Sequence, residues 1–473
     1  MTAQTILPAN SAASGGFNVA NSVRFNDDDG AYMHKTPSGA GNRQKFTLSC
    51  WLKKSSGGTE EILVAGAAAA SYTRIGFEAG DELKIFGVAD SSTAWEIQTV
   101  AKFRDFSAWY NFVFAFDTTQ GTASNRIKVY VNGVRVTPSS GFGDETYPDQ
   151  NYSTNINHTE KHRVGVQVND SGGAYDGYMS EVVLIDNAQL GADSFGEFDE
   201  DSGIWKPIDV SDLTFGTNGF YLDFEASGNL GNDANGGTDL TEVNIAATDQ
   251  STDTCTNNFC TLTPLTKLTD ATLSEGNLNV TYGTASTRRA VFGSIVVTAG
   301  KWFCETKVIA TSQTSVEMNL GISNTYNPEA IGNALVSNNG FTVSYFPAGS
   351  GGALYIGTTN DESSLGALAV NDIIGMAIDM DNGTLQFYKN GSALGSANDI
   401  TTGDSDDGEL YPGFTIANSC SSGGQTFTAS HNFGSPAYSE SGGNSDADGF
   451  GNFSMSVPSG FFSICTKNLA EYG

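Results

Sequence analysis

Short runs in which apolar and polar residues alternate, separated by turns rich in Gly, Asn, Asp and Ser, fill most of this chain. Alternation with period two places every second side chain on one face, the pattern of a half-buried β-strand. In IKVYVNGVRV (127–136) Ile127, Val129, Val131, Val134 and Val136 share one face, with Lys128 and Arg135 on the other. Asn132-Gly133 at its centre tolerates positive φ at both positions and predicts a two-residue type I′ turn. LQFYKNGSAL (385–394) repeats the device, with Leu385, Phe387 and Leu394 facing a core and Lys389 and Ser392 at the tip. Phe46, Leu48, Cys50 and Leu52 alternate in KFTLSCWLKK (45–54), whereas WYNFVFAFD (109–117) predicts a strand buried on both faces, as two packed sheets would provide. GYMSEVVLID (177–186) reads as another strand, and DSFGEFDEDSGIW (193–205) as a short helical or irregular excursion.

Between about 226 and 280 the alternation lapses into polar, turn-rich sequence that buries little, which predicts a linker draped over the surface. It resumes at AVFGSIVV (290–297) and continues through KWFCETKVIA, SVEMNLGIS, GFTVSYF, DIIGMAIDMDNGTLQFYKNG, LYPGFTIA and FTASHNFG. Turn signals at this spacing mark a sandwich. The expected architecture is all-β: one β-sandwich domain over 1–225, a turn-rich linker over 226–280, and a second β-sandwich over 281–473.

Size and composition agree with that division. At 473 residues the chain exceeds what one core supports. Gly (56), Phe (29) and Tyr (17) abound while charged residues are only 16%, and long helix-forming stretches are missing. The formal charge of −30 repels phosphate and anionic lipid, so neither nucleic acid nor a membrane surface is an expected partner. Two readings of the acidity stand: solubility of a surface-exposed protein, or divalent-cation binding by carboxylate-rich loops. The opening MTAQTILPANSAASGG has no basic segment followed by an apolar run, and no stretch is long and apolar enough for a membrane span, so neither export nor anchoring is expected. The six cysteines are too few to staple the chain and read as reduced core residues, apart from Cys255 and Cys260, which are near enough in a loop to pair.

Three stretches, 22–54, 103–137 and 177–190, give in succession an opening strand with the acidic loop NDDDG, the FTLSCW strand, the WYNFVFAFD strand, the Asn-Gly hairpin and a closing Gly-Tyr strand. In that order they resemble laminin-G-like, concanavalin A-like jelly-roll domains. GKWFCETKV (300–308), IGMAIDMDNGTLQFYKNGSALG (374–395), ELYPGF (409–414) and SHNFG (430–434) resemble a SPRY domain in their succession. The pairing, together with 201–233, 249–262 and 461–472, is similar to tail-fibre or other virion surface proteins of marine bacteriophages. The resemblance implies two jelly-roll/concanavalin A-like β-sandwich domains joined by a polar linker, adhesive in character and placed on the surface of a particle assembled in a host cytoplasm. Function then belongs to the loops of a repeated scaffold.

Glu197, Asp199 and Asp201 in GEFDEDSG (196–203) could alternate as the paired carboxylates of a glycosidase, yet no apolar alternation backs them, and an exposed acidic loop is the expectation. No Gly-x-Ser-x-Gly, His-Glu-x-x-His or phosphate-loop motif occurs. His158 and His162 stand at a metal-ligand spacing if helical, but their neighbours predict solvated turn histidines, and His431 a structural place at a strand end. Asp27, Asp28 and Asp29, clustered ahead of Gly30, are the first candidate calcium site. Asn444, Asp446 and Asp448 are spaced as in a calcium loop, but Met455 stands where a bidentate acid is needed. For sugar recognition, exposed aromatics beside amides are the candidates: Tyr326 and Asn327, Tyr345, Tyr147 and Tyr152.

The expected protein is a non-catalytic virion structural protein, a tail fibre or other surface appendage acting as a lectin-like adhesin for a host glycan or protein. It is expected to be a homo-oligomer; since no coiled-coil or β-helical shaft is visible, attachment is expected through other virion proteins or through the domains' own edges. A decoration protein that binds only a neighbouring virion protein is the alternative, and a polysaccharide-cleaving tailspike the third reading.

Overall fold

The computed structural model of the protein describes residues 16–473 except 266, 268–270, 284–289, 313–317, 325–341, 348–351, 358, 401–412, 421–425 and 441. The chain divides into two compact units, the first ending at Thr256 and the second running from Asn257 to Gly473. Each is an all-β sandwich built on two large, essentially antiparallel sheets.

The strands of the first unit are, in chain order, Ser22–Phe25 (β1), Tyr32–Lys35 (β2), Lys45–Lys54 (β3), Glu60–Ala68 (β4), Ser71–Phe77 (β5), Glu82–Ala89 (β6), Ser92–Lys102 (β7), Tyr110–Asp117 (β8) and Ile127–Val131 (β9). They continue with Val134–Arg135 (β10), Phe142–Thr146 (β11), His162–Val164 (β12), Gly177–Asp186 (β13), Gly196–Phe198 (β14), Trp205–Pro207 (β15), Phe220–Leu222 (β16), Thr241–Val243 (β17) and Gln250–Ser251 (β18). One sheet runs β10-β9-β8-β3-β13-β1-β18, with β16 also on β13, and the other runs β11-β7-β6-β5-β4-β12-β2-β17.

β8 is buried along both faces, as its sequence predicts. Phe112, Phe114 and Phe116 point between the sheets, into a core with Phe46, Leu48, Ile75, Ile85 and Trp95. Val113, on the opposite face, joins a second cluster with Trp51, Trp109, Tyr178, Phe195, Trp205 and Phe215. The outer face of this sheet is therefore covered by the chain that follows β13. On the other sheet, cross-strand register aligns His34, Arg163, Val64, Arg74, Phe86 and Glu96 in one row running from β2 to β7. Met33, Val164, Leu63, Ile75, Ile85 and Ile97 fill the core on its inner side.

Both Asn-Gly hairpins form with positive φ at each turn residue: 46° and 78° at Asn132 and Gly133, 49° and 84° at Asn390 and Gly391. Ile127 and Val129 face the core as expected, but Val134 is 62% exposed, because β10 is a two-residue edge strand with no sheet beyond it. Gly133 also lies against the Trp205 indole, where an added Cβ would collide with the ring. Gly133→Ala combines that clash with a left-handed backbone and should lower the stability of this unit by about 2 kcal/mol, read as a fall in its melting temperature.

Two other expectations need correction. The 193–205 segment is not an irregular excursion: after a 3-10 turn at Ala192–Ser194, β14 and β15 pair as a small hairpin. Its turn is closed by the Asp199 carboxylate, which accepts from the Ser202 backbone N–H (2.9 Å) and hydroxyl (2.8 Å). Residues 226–280 are not a draped linker either. Leu230 and Leu240 enter the core of the first unit, β17 and β18 add to its sheets, and Cys260, Leu262, Leu278 and Val280 enter the core of the second. Sparse apolar anchors between Asx-closed turns defeat an argument from average polarity. Asp233, for example, is buried and accepts from the backbone N–H groups of Tyr221 and Asn235.

In the second unit one sheet orders Ala271–Ser274, Asn279–Tyr282, Phe427–Asn432, Lys301–Thr311, Ile373–Asp379, Thr384–Lys389 and Ser392–Asp399. The facing sheet orders Ala290–Phe292, Thr415–Cys420, Met318–Ser323, Thr342–Phe346, Ala353–Ile356 and Thr359–Ser363. Trp302, Met318, Leu320, Ile374, Met376 and Phe387 lie in the core between them, and the chain ends in a short helix, Thr466–Tyr472. Cys50, Cys255, Cys260, Cys304 and Cys465 are buried thiols outside any disulfide, so Cys255 and Cys260 do not pair.

Candidate functional site

The outer face of the second sheet of the first unit carries a cleft of about 220 Å3. Tyr72 and Arg74 line it from β5, Phe86 from β6, and Glu61 and Val64 from β4. Glu78, just past β5, closes one end, while Thr59 and the pair Gln167 and Val168 form its rims. Period-two geometry explains the first group: Thr73, Ile75 and Phe77 point inward from β5, so Tyr72 and Arg74 point out. The wall at 167–173 is a tight loop, with the Asp170 N–H bonded to the Gln167 carbonyl (3.0 Å) and the Gly173 carbonyl accepting from the Glu61 N–H (3.0 Å).

Arg74 organises the floor. Its Nε donates to Glu61 Oε2 at 2.5 Å, one terminal nitrogen to Glu78, and the other to the Phe77 carbonyl at 2.6 Å. The guanidinium lies 5.3 Å from the centroid of Phe86, whose ring meets Tyr72 edge-on at 5.7 Å. Gly76, opposite Glu61 in the register, leaves room for that carboxylate, since an added Cβ would sit 2.8 Å from Glu61 Oε2. Burial pushes the Glu61 carboxyl up to about 7 against the pull of Arg74. Burial alone would lower Arg74, but Glu61 and Glu78 outweigh it and hold the guanidinium above its ordinary value. Beside the cleft, Lys84 lies over the same Phe86 ring, 5.4 Å from its centroid, and is paired with Glu96 at 2.8 Å. The cleft thus offers an aromatic face, guanidinium N–H donors and carboxylate acceptors within a small volume, the set a hydroxylated ring requires.

Among the described residues, none of the candidates named from sequence lines this cleft. Tyr147 and Tyr152 pack against the core of the first unit: the Tyr147 hydroxyl donates to Glu145 at 2.8 Å, and the Tyr152 ring meets Trp95 edge-on at 6.2 Å. Tyr345 is not an exposed loop residue. It lies on the Thr342–Phe346 strand, is fully buried, and donates its hydroxyl to the Gly366 carbonyl at 2.5 Å. Tyr326 and Asn327 lie outside the described residues. Asp27, Asp28 and Asp29 form an exposed 3-10 turn in which Asp29 is tied to the Asn26 amide at 3.0 Å. Among the described residues no group of three His, Cys, Asp or Glu side chains is arranged to hold a metal ion.

The remaining motifs resolve into structural roles. Asp446, offered in a calcium-like spacing, is buried, and its carboxylate accepts from the Ser463 and Phe450 N–H groups (both 2.9 Å) and from the Asn468 amide (2.8 Å). His162 is not a solvated turn residue: it lies on β12, is buried, accepts from the Asn157 N–H at 2.9 Å, and is pushed down to about 4 by burial. His431 is buried in a strand between Thr306 (3.0 Å) and Asn418 (3.2 Å), with burial pushing it down to about 3. Of the acids at 196–203, Glu197 and Asp199 both meet Lys206 at 3.3 Å, and nothing in that hairpin sets two carboxylates across an open cleft.

Against known proteins, residues 26–193 match the model of the concanavalin A-like lectin/glucanases superfamily, and residues 302–428 match that of the SPRY domain. The chain therefore carries a concanavalin A-like sandwich followed by a SPRY domain, and the whole cleft falls within the first match. Among solved structures it is similar to the SPRY domain of human HERC1, with 17% identity over 36% of this chain and 96% of that one and a TM-score of 0.27. It is also similar to the LG4-5 domains of the mouse laminin alpha1 chain, with 11% identity over 98% of this chain and 92% of that one and a TM-score of 0.28. A native heptameric SAP-like pentraxin from Limulus polyphemus shows 14% identity over 37% of this chain and 80% of that one, with a TM-score of 0.26. No curated protein matches the chain.

Proposed function

We propose that the protein is a non-catalytic structural component of a virion surface, a tail fibre or another appendage, acting as a lectin-like adhesin for the host cell surface. The observation that carries the adhesin reading is the cleft around Tyr72 and Arg74, because it combines a ring for stacking with donors and acceptors for hydroxyls inside a lectin-type domain. The virion placement, assembly in a host cytoplasm, attachment through other virion proteins and homo-oligomeric state rest on the sequence resemblance at 201–233, 249–262 and 461–472. On this reading the first unit meets the host glycan, and the SPRY domain is available for a protein contact.

The test is binding of the purified protein, and of its Tyr72→Ala variant, to arrayed bacterial surface polysaccharides with and without EDTA. Saturable binding that weakens about tenfold in Tyr72→Ala, at unchanged melting temperature, is the expected result; one stacked ring is worth about 0.5–1.5 kcal/mol. Loss of binding on chelation would assign calcium a role, with Asp27, Asp28 and Asp29 the turn to mutate first. Shortening of the polysaccharide would overturn the non-catalytic part in favour of a tailspike. Failure of the folded protein to bind any glycan would leave the decoration reading.

A further inference from the structure

We infer that the cleft around Arg74 selects a neutral sugar ring presenting a vicinal diol and rejects uronic-acid and sulphated chains. The inference rests on the adhesin reading and adds the class of ligand. It follows first from how the cleft's one cation is used. A guanidinium has five N–H donors. Three of them on Arg74 serve Glu61, Glu78 and the Phe77 carbonyl, while the plane is held over Phe86. The charge of Arg74 is thus opposed by two carboxylates before any ligand arrives. Lys84, the next cation along the face, is paired with Glu96.

The charge balance never becomes positive across the physiological range. With Glu61 pushed up to about 7, the cleft runs between no net charge, when Glu61 holds its proton, and one net negative charge, when it does not. An incoming carboxylate or sulphate would meet Glu78 without a cation of its own, and unpaired like charges in a partly desolvated site are costly. A neutral diol meets no such penalty. One hydroxyl accepts from the N–H donors that Arg74 has left. Its neighbour donates to Glu78, whose side chain is 32% exposed and so still open to a ligand. The C–H face of the ring rests on Tyr72, which is half-buried and fixed against Phe86. The volume fits the same class: about 220 Å3 lies below the range of roughly 300–1,000 Å3 that holds a drug-sized ligand, so one ring enters and the rest of a chain stays outside.

The experiment is an array carrying neutral, uronic-acid and sulphated polysaccharides, probed with the full chain and with Glu78→Gln, Glu78→Arg and Tyr72→Ala, each checked for an unchanged melting curve. Glu78 and Tyr72 are partly exposed, so these variants should fold. The expected result is binding to neutral glycans by the wild-type protein and an approximately tenfold loss in Glu78→Gln, the value of one hydrogen bond to a charged group. In Glu78→Arg the preference should move to acidic glycans. Wild-type preference for acidic glycans that is lost in Tyr72→Ala would overturn the ligand class while leaving the cleft as the site. Neutral binding unaffected by either the Tyr72 or the Glu78 substitutions would overturn the site while leaving the adhesin reading. No binding to any glycan would overturn both.

Discussion

Replacing Asp253 by alanine should lower the stability of the first unit by about 3–5 kcal/mol, the usual cost of removing one partner of a buried ion pair. Asp253 is 1% exposed; its Oδ2 accepts from Lys53 Nζ at 2.7 Å and its Oδ1 from the Trp109 indole at 2.9 Å. Its carbonyl accepts from the Ser22 hydroxyl at 2.6 Å, so this one residue ties β1, β3 and the start of β8 to the chain leaving β18. Truncation leaves the Lys53 ammonium buried without its carboxylate and the indole N–H without its acceptor. Four of the five tryptophans, Trp51, Trp95, Trp109 and Trp205, lie in this unit, so tryptophan fluorescence in urea follows its unfolding. Lys53→Met combined with Asp253→Asn should recover part of the loss, because two neutral partners replace an unmatched charge. A midpoint for Asp253→Ala within error of wild type would show that the pair does not hold the unit together.

That clasp lies in sequence that local pattern could not read. Strands such as 45–54, 109–117 and 177–186 were legible because period-two burial is a local rule, and each Asn-Gly turn because its backbone demand is local too. Asp253 sits in a polar run whose partners are about 140–230 residues distant, so nothing near it announces that it is buried. The cleft escaped for a related reason. Alternation in SYTRIGF does place Tyr72 and Arg74 on one face, and that signal was available. Their meeting with Phe86, Glu61 and the 167–168 loop depends on cross-strand register, which alternation leaves undetermined. The aromatic candidates failed in the opposite direction: Tyr147, Tyr152 and Tyr345 stand beside Gly, Asn and Pro as loop residues do, yet their rings found cores to fill.

Glu181 should make the first unit less stable as pH rises from about 4.5 to about 8. It occupies the β-bulge between Ser180 and Val183, with a left-handed φ of 51°, and its side chain turns into the interior to accept from the Tyr221 hydroxyl at 2.7 Å. Burial pushes its carboxyl up to about 8; the Tyr221 hydrogen bond opposes this, and Asp223, Glu225 and Asp209 add to it. Between the unfolded value near 4.5 and the folded value near 8, the native state keeps a proton that the unfolded chain has lost. The unfolded state then binds fewer protons, so stability falls with rising pH across that window and is level on either side. The full shift corresponds to at most about 4–5 kcal/mol at 1.36 kcal/mol per unit. Glu181→Gln retains an oxygen for Tyr221 and cannot ionise, so its stability should be insensitive to this proton. The difference between wild type and variant, measured by urea unfolding at pH 5, 6.5 and 8, should therefore grow steadily in favour of the variant. A difference that stays constant across those three points would mean that Glu181 is ionised in the folded protein throughout, with Tyr221 and the bulge backbone stabilising the charge.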